Sequence, residues 1–366
     1  MSVPTIQRRE FLSTLSIAGS ACVLGATALS GQTTGAKPPR IKIGQIGTTH
    51  AHAVGKLQAF RKMTDTFEVV GVVEPDPKRR DAVAKDPTFE GIPFLTEEQL
   101  LNTPGLKAIA IETEVKDLLS HAERAIHAGF HIHLDKPAGE SLSHFRRIRK
   151  EAERKKLVLQ MGYMLRYNPA FQFCYQALAD GWLGNVFSIE AAMSKALGSA
   201  DRKALMRYTG GSMFELGCHV IDAVVRVLGR PTKITPTRLS SSSLGDGFAD
   251  NQFALLEYPN ATAVVRSAMV EIEGGLRRQF VICGELGTAE VRPLEPATLR
   301  LALDRPRGQF KKGYQDVPLP KPTGRYDGEF EDLARVIRGE KEFGWNAKHD
   351  IAVQETVMLA SGLKID

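Results

Sequence analysis

Two side chains far apart in the chain carry the chemistry that this sequence can offer. Lys136 closes the run His131-Ile132-His133-Leu134-Asp135-Lys136-Pro137-Ala138-Gly139, in which apolar residues alternate as in a strand. His219 lies in Gly210-Gly211-Ser212-Met213-Phe214-Glu215-Leu216-Gly217-Cys218-His219-Val220-Ile221-Asp222. On a helix, Glu215, His219, Asp222 and Arg226 fall at i, i+4, i+7 and i+11, which is one face. Leu216, Val220, Ala223, Val224 and Val227 form a second, apolar face. Such a polar stripe is usually solvated. This one holds a histidine one turn from a carboxylate and starts at a Gly-Gly bend, and histidine is the side chain best suited to proton exchange near neutral pH. A lysine at the carboxyl edge of a sheet, with a histidine able to meet it, points to proton and hydride chemistry on an alcohol.

A dinucleotide site needs a glycine turn ahead of a helix, so that backbone can approach the pyrophosphate. The candidate is Ile46-Gly47-Thr48-Thr49-His50-Ala51-His52. Gly47 matches the first glycine of G-x-G-x-x-G, whereas Thr49 and His52 stand at the second and third; Thr48 and His50 complete the turn. Glu74, in Val72-Val73-Glu74-Pro75-Asp76-Pro77, ends the next apolar run, where an acidic residue can hold the adenosine ribose hydroxyls. A carboxylate there favours NAD over NADP, and Arg79 and Arg80 nearby blur that preference.

The histidines raise the question of a metal. His50, His52, His131, His133 and His219, with Glu112 and Glu114, are many ligands for one cleft, and His131 and His133 share a strand face. No C-x-x-C pair accompanies them, and no metal is expected. Cys22, Cys174, Cys218 and Cys283 are the only cysteines, without ligand spacing, and read as small apolar residues.

The elements that would position these groups follow from periodicity. Ile41–Ile46, Phe67–Val73, Leu106–Ile111, Phe130–Leu134 and Leu157–Met161 read as strands, with helices at Asp117–Ala128 and Ser141–Lys156 between them. That alternation implies a doubly wound α/β parallel sheet over residues 37–160. Beyond it the pattern changes. Phe187–Ala192, Asn251–Tyr258, Ala261–Ala268, Arg277–Cys283 and Ala289–Val291 read as strands without intervening helices, and Asp327–Arg338 and Ala347–Ser361 as helices. Residues 161–366 are therefore expected to form an α+β domain with a mostly antiparallel sheet. The segments 194–207 and 239–248 read as loops that would shape the substrate pocket.

With 366 residues, 25% of them charged and 43% hydrophobic, the chain has an ordinary soluble composition with room for two domains. The 48 basic and 42 acidic residues are interspersed, which gives no support for nucleic-acid binding. Residues 1–36 differ: Arg8-Arg9 precede Phe11-Leu12 and an uncharged Ala/Ser/Gly/Leu stretch with small residues near Ala26, Ala28 and Ser30. This is the plan of an export signal and resembles the twin-arginine type, which implies passage through the twin-arginine machinery to the periplasm or beyond.

Taken together, the glycine turn, Glu74, the Asp135-Lys136-Pro137 strand end, Arg166-Tyr167-Asn168-Pro169 and the Gly210–Asp222 helix resemble the Gfo/Idh/MocA oxidoreductases. The resemblance covers nearly all of the chain after the signal and reaches His349-Asp350. It implies a Rossmann domain followed by a domain whose open sheet makes dimers or tetramers. The implied activity is NAD(P)-dependent oxidation or reduction of a sugar, cyclitol or glycoside. On that resemblance Lys136 would bond the reacting hydroxyl and stabilise alkoxide charge, His219 would be the general base or acid, and Glu215 would take the place of a frequent aspartate. Gly47, Thr48, Thr49, His50, Glu74 and Lys136 would hold the cofactor, with His121 near the nicotinamide, and Arg166, Asn168 and Asp222 would line the sugar pocket. Two other functions stay open: glycoside cleavage by transient oxidation and elimination, and a non-catalytic sugar- or nucleotide-sensing protein.

Overall fold

The computed structural model describes residues 38–366, and the expected export signal lies outside the described residues. Arg40–Asp366 forms one compact unit containing two sheets. The first is built from β1 (Ile41–Ile46), β2 (Phe67–Val73), β3 (Phe94–Leu95), β4 (Leu106–Ile111), β5 (His131–Leu134) and β6 (Leu159–Met161). Its order is β3-β2-β1-β4-β5-β6, and every pairing is parallel. Between the strands run α1 (Ala53–Lys62), α2 (Pro77–Val83), α3 (Glu97–Leu101), α4 (Val115–His127) and α5 (Leu142–Arg154). This is the doubly wound sheet that the alternation predicts, and its order reverses between β1 and β4, where such folds bind ligands at the strands' carboxyl ends.

Burial explains the sequence of each element. Ala108, Ile109, Ala110 and Ile111 of β4 are fully buried because helices cover both faces of the sheet. The α4 stripe Val115, Leu118, Leu119, Ala122, Ala125 and Ile126 is buried against the sheet, and each Leu or Ile so removed from water contributes roughly 1.5–3 kcal/mol. The Ser141 side chain accepts a hydrogen bond from His144 N and so fixes where α5 begins.

The second sheet follows α6 (Pro169–Ala179). Its strands are β7 (Val186–Ala192), β8 (Lys233–Leu239), β9 (Asn251–Glu257), β10 (Thr262–Ala268), β11 (Gln279–Gly284), β12 (Gly287–Leu294), β13 (Ala297–Leu303) and β14 (Gly313–Asp316). The order is β14-β13-β12-β11-β7-β10-β9-β8, antiparallel except for the β7–β10 pair. Between β7 and β8 lie α7 (Ser199–Leu205) and α8 (Cys218–Leu228), and the chain ends with α9 (Asp327–Ile337) and α10 (Ala347–Ala360). The carboxyl-terminal helices tie the two sheets together: α10 packs on both α5 and α8, and Phe330 of α9 stacks on Phe60 of α1 at 4.0 Å.

Three features depart from the sequence reading. The stretch read as a loop at 194–207 contains α7. β8, β13 and β14 complete the sheet without having been anticipated; β8 is an exposed edge strand interrupted by Pro236, which removes the usual strand signal. Finally, the helix expected from Gly210 onward opens with helical residues 211–212, passes through a π-helical turn, Met213–Gly217, and continues as α8 from Cys218.

Candidate active site

At the end of β5, Asp135 is wholly buried and gathers four nitrogen atoms. His50 Nδ1 lies 3.0 Å, His52 Nδ1 3.1 Å and Lys56 Nζ 3.1 Å from its Oδ2, while Lys136 N donates to Oδ1 at 2.6 Å. Burial by itself would raise this carboxyl, yet His50, Lys56 and His52 hold it well below the usual carboxylate range. His50 also donates through Nε2 to Lys136 O at 3.1 Å, so the turn after β1 is fastened to the residue after β5.

Lys136 reaches from this floor to the π turn. Its ammonium donates to Glu215 O at 2.7 Å and lies 3.5 Å from Glu215 Oε1. Burial opposes its charge, but Glu215, Cys218 and Asp135 outweigh that and raise its pKa, so it remains an ammonium. Glu215 is likewise disfavoured as an anion by burial and is nonetheless drawn down to about 2 by Lys136 and Lys195. π turns interrupt the helical ladder and are frequent at functional sites. Here the turn presents a carbonyl to the lysine.

The turn is held from below. Gly211 has φ +65°, and a Cβ there would lie 2.5 Å from Ala249 O, so the bend requires glycine. Ser212 N donates to Ala249 O (2.8 Å), Ser212 Oγ to Ser267 O (2.9 Å) and Met213 N to Gln252 Oε1 (2.9 Å). These bonds dock the start of the helix on β9 and β10 and set where His219 emerges. His219 is buried, with its ring 6.4 Å from that of His52 and 6.1 Å from that of Tyr163, and its Nδ1 has no hydrogen-bond partner among the described residues. Burial, followed by the charge of Lys136, pushes its pKa well below the usual histidine range. His219 is therefore a neutral imidazole with an uncommitted nitrogen beside an ammonium.

On the cofactor side, Gly47 has φ +89°, and a Cβ there would lie 2.5 Å from Thr113 Cγ2 and 2.7 Å from Thr113 N. Only glycine lets the turn close onto the end of β4. The amides of Thr48, Thr49 and Ala51 make no backbone hydrogen bond among the described residues, which leaves donors at the entry to α1 as a phosphate would need. Glu74 stands at the end of β2. Its Oε2 accepts from Thr48 Oγ1 at 2.5 Å and its Oε1 from Asp76 N at 3.2 Å. Arg79 Nε donates to Thr48 Oγ1 at 2.8 Å and lies 3.9 Å from Glu74 Oε2. The turn thus fits a dinucleotide, with an arginine beside the carboxylate expected to face the ribose.

Other expected site residues lie elsewhere. Arg166 is fully buried: its guanidinium donates to Asp222 Oδ1 (2.7 Å) and Asp350 Oδ1 (2.6 Å) and is flanked by the rings of Trp345 and Tyr163. Asp222 also pairs with His349 Nε2 at 3.0 Å. Asn168 caps α6 by accepting from Ala170 N at 2.9 Å and donates to Leu294 O. His121 is engaged with Glu97 of α3 and with Arg124. The polar stripe is thus divided: Glu215 meets Lys136 from the π turn, whereas Asp222 is committed to Arg166.

The sequence reading missed the deepest members of the site. Lys56, in the middle of α1, is completely buried; its Nζ lies 2.5 Å from His133 Nε2 and 3.7 Å from both Glu112 Oε1 and Glu329 Oε1. Gly162 makes room for it, since a Cβ there would lie 2.5 Å from the ammonium. Beyond Lys56, His133 Nδ1 bonds Gln160 Oε1 at 2.9 Å, and Gln160 Nε2 donates to Tyr167 Oη at 2.9 Å and to Glu329 O at 2.8 Å. A lysine in an amphipathic helix reads as solvated. The small residue at 162 was the one available clue.

Comparison with known proteins identifies the family of both domains. Residues 41–163 match the oxidoreductase family model with an NAD-binding Rossmann fold, and residues 171–290 match the GFO/IDH/MocA C-terminal domain. The D-xylose 1-dehydrogenase (NADP(+)) 2 of Haloferax volcanii is 25% identical over 79% of this chain and 87% of its own. The inositol 2-dehydrogenase of Rhizobium meliloti is 23% identical over 84% of this chain and 91% of its own. The chain matches 58% of the length of an uncharacterized oxidoreductase of Escherichia coli, which is 24% identical over 55% of this chain. The aldose-aldose oxidoreductase of Caulobacter crescentus, solved with glycerol, superposes with a TM-score of 0.73 over 88% of this chain and 98% of its own at 18% identity, which is a likeness of fold.

Proposed function

The chain belongs to the Gfo/Idh/MocA family of NAD(P)-dependent oxidoreductases, and from that premise we propose that it oxidises a secondary alcohol of a sugar or cyclitol, or reduces the corresponding ketone. The observation that carries the reading is the neutral His219 with a free Nδ1 next to the Lys136 ammonium. The relatives named for D-xylose and inositol support the substrate class.

A bound nicotinamide dinucleotide would supply the hydride acceptor; the amides of Thr48, Thr49 and Ala51 would hold its phosphates and Glu74 and Arg79 would lie near its ribose. Lys136 donates a hydrogen bond to the reacting oxygen and favours its developing negative charge. His219 Nδ1 takes the hydroxyl proton in oxidation and returns it in reduction. Glu215 keeps Lys136 charged and aimed. Asp135 orients the backbone of Lys136 and the ring of His50. Because Arg79 stands beside Glu74, both NAD and NADP are expected to bind.

Export by the twin-arginine route is part of the proposal and rests on Arg8-Arg9 and the uncharged stretch that follows. Replacing both arginines by lysine should then retain the protein in the cytoplasm on fractionation. Self-association through the open sheet is supported by exposed Leu239, Phe253 and Tyr314 on its outer face. Light scattering of the purified chain tests it, and a monomer at all concentrations would discard it.

The decisive experiment incubates the purified full chain with NAD or NADP and a panel of aldoses and inositols, following reduced nucleotide by absorbance. Formation of reduced nucleotide that is lost in His219→Asn supports the reading. A chain that binds nucleotide and reduces none of it with any member of the panel points instead to transient oxidation or to sensing. Release of product from a glycoside without net nucleotide reduction separates those two.

A further inference from the structure

The floor of the site has an arrangement that goes beyond orienting Lys136 and His50 for hydride transfer. His50 Nε2 faces Lys136 O, which can only accept, so Nε2 carries a hydrogen. Nδ1 is left to face His52 N at 3.3 Å and two carboxyl groups, Asp135 Oδ2 at 3.0 Å and Glu112 Oε2 at 3.8 Å. A proton on Nδ1, or a metal ion between it and these oxygens, makes that contact favourable.

Glu112 is the independent observation. It is 0% exposed, and neither of its oxygens has a hydrogen-bond partner among the described residues. Buried carboxylates are ordinarily paired or coordinate metals. Three buried carboxylates, Asp135, Glu112 and Glu329, surround one ammonium, that of Lys56, since Lys136 is engaged by Glu215. Carboxyl groups therefore outnumber the cations that face them, and a divalent ion displacing their protons would redress that balance.

We propose that His50 Nδ1, His52 Nδ1, Asp135 and Glu112 bind a divalent first-row metal ion of the Zn²⁺ type. Donor atoms of the two histidines and Asp135 already lie within 4.8 Å of one another. Ligands about 2.1 Å from a tetrahedral ion stand about 3.4 Å apart, so small side-chain shifts suffice. Two imidazoles and two carboxylates suit zinc and its neighbours rather than calcium. Lys56 stays with His133 and Glu329 on the inner side. The outer side is His52, whose side chain is 15% exposed and whose ring approaches His219, so the ion would border the substrate cleft and join the turn after β1 to the lysine loop.

The test uses the full chain, dialysed against a chelator and titrated with Co²⁺ alone while its visible absorption is followed. One equivalent should saturate a band in the visible. His52→Gln, at a half-buried helix entry, and Glu112→Gln should each weaken Co²⁺ binding at least tenfold, whereas His144→Gln, on α5 and paired with Glu123, should leave it unchanged. No band in the wild type overturns the proposal, as does wild-type affinity in His52→Gln even where Glu112→Gln does not fold. Nucleotide titration of the same samples is independent of this outcome, so failure of the metal site leaves the redox reading standing.

Discussion

Two of the buried charge clusters among the described residues, those around Arg166 and Lys56, are built on opposite plans. Around Arg166, the Asp222 and Asp350 carboxylates meet two guanidinium groups, Arg166 itself and Arg149 at 3.3 Å from Asp350 Oδ2, with His349 adding a further bond. Rings of Trp345 and Tyr163 close over Arg166. Around Lys56, three carboxyl groups share one ammonium; buried atoms without hydrogen bonds occur in both clusters, Arg166 Nη1, Arg149 Nε and Asp350 Oδ2 in the first and the carboxyl oxygens of Glu112 and Glu329 in the second. The first cluster compensates itself and serves to lock α8, α10 and the 164–167 turn together. The second holds more carboxyl groups than cations, and it adjoins Lys136 and His219.

The strongest way to break this contrast is at the reactive pair. His219→Asn should lower turnover by roughly 10²–10⁴-fold, the range for a positioned acid–base group, with nucleotide binding retained. Wild-type activity should keep its acid limb below the usual histidine range near 6.5, because burial depresses this imidazole. A pH–rate profile checks both points, and an acid limb at an ordinary histidine pKa would remove His219 from the role.

Next in size is Arg166→Met, which strands two buried carboxylates and should cost about 3–5 kcal/mol in denaturant unfolding. A loss below about 1 kcal/mol, in the range of an exposed pair, would end the claim that this cluster is structural. Lys56→Met should cost less at acid pH than at neutral pH, because Glu112 and Glu329 can take up protons in place of the lost ammonium. Burial already raises Glu112 well above the usual range and lifts Glu329 to about 7.

A smaller effect concerns the intact protein. Glu329 binds its proton more tightly when folded, so its contribution to stability is full below the ordinary value of 4.5 and is lost as pH rises to about 7. Glu329→Gln should flatten the fall in unfolding midpoint across that window, and an unchanged slope would show that Glu329 is not held in the folded cluster. The smallest change expected is in nucleotide choice. Arg79→Ala should shift the ratio of NADP to NAD affinity several-fold toward NAD, measured by titration, by removing the cation beside Glu74.

Much of the architecture was legible because period and burial coincide. β1, β2 and β4 begin and end where the apolar runs do, since strands covered on both faces tolerate little else. The alternation of Ala297–Leu303 was equally available, with Leu299, Leu301 and Leu303 facing inward. Lys233–Leu239 gave no such sign, since an edge strand exposed along almost its whole length has no apolar face to show. In the site, the types at Lys136, Glu215 and His219 pointed to the chemistry, and the Gly210-Gly211 bend marked where their helix starts. Helical spacing could not foretell the π turn, which depends on Ser212 and Met213 bonding to β9 and β10.

By itself, then, the sequence determined two sheets of different kind, the glycine at the first turn, and a lysine and histidine suited to alcohol chemistry. Those follow from local period, backbone freedom and side-chain pKa, which any short window carries. Tertiary structure alone decided that Arg166 and Asp222 would spend themselves on each other, that Lys56 would be drawn under the site through the gap at Gly162, and that His50, His52, Glu112 and Asp135 would converge. Each of these rests on contacts between residues distant in the chain, and their energies arise only once water has been excluded from between them.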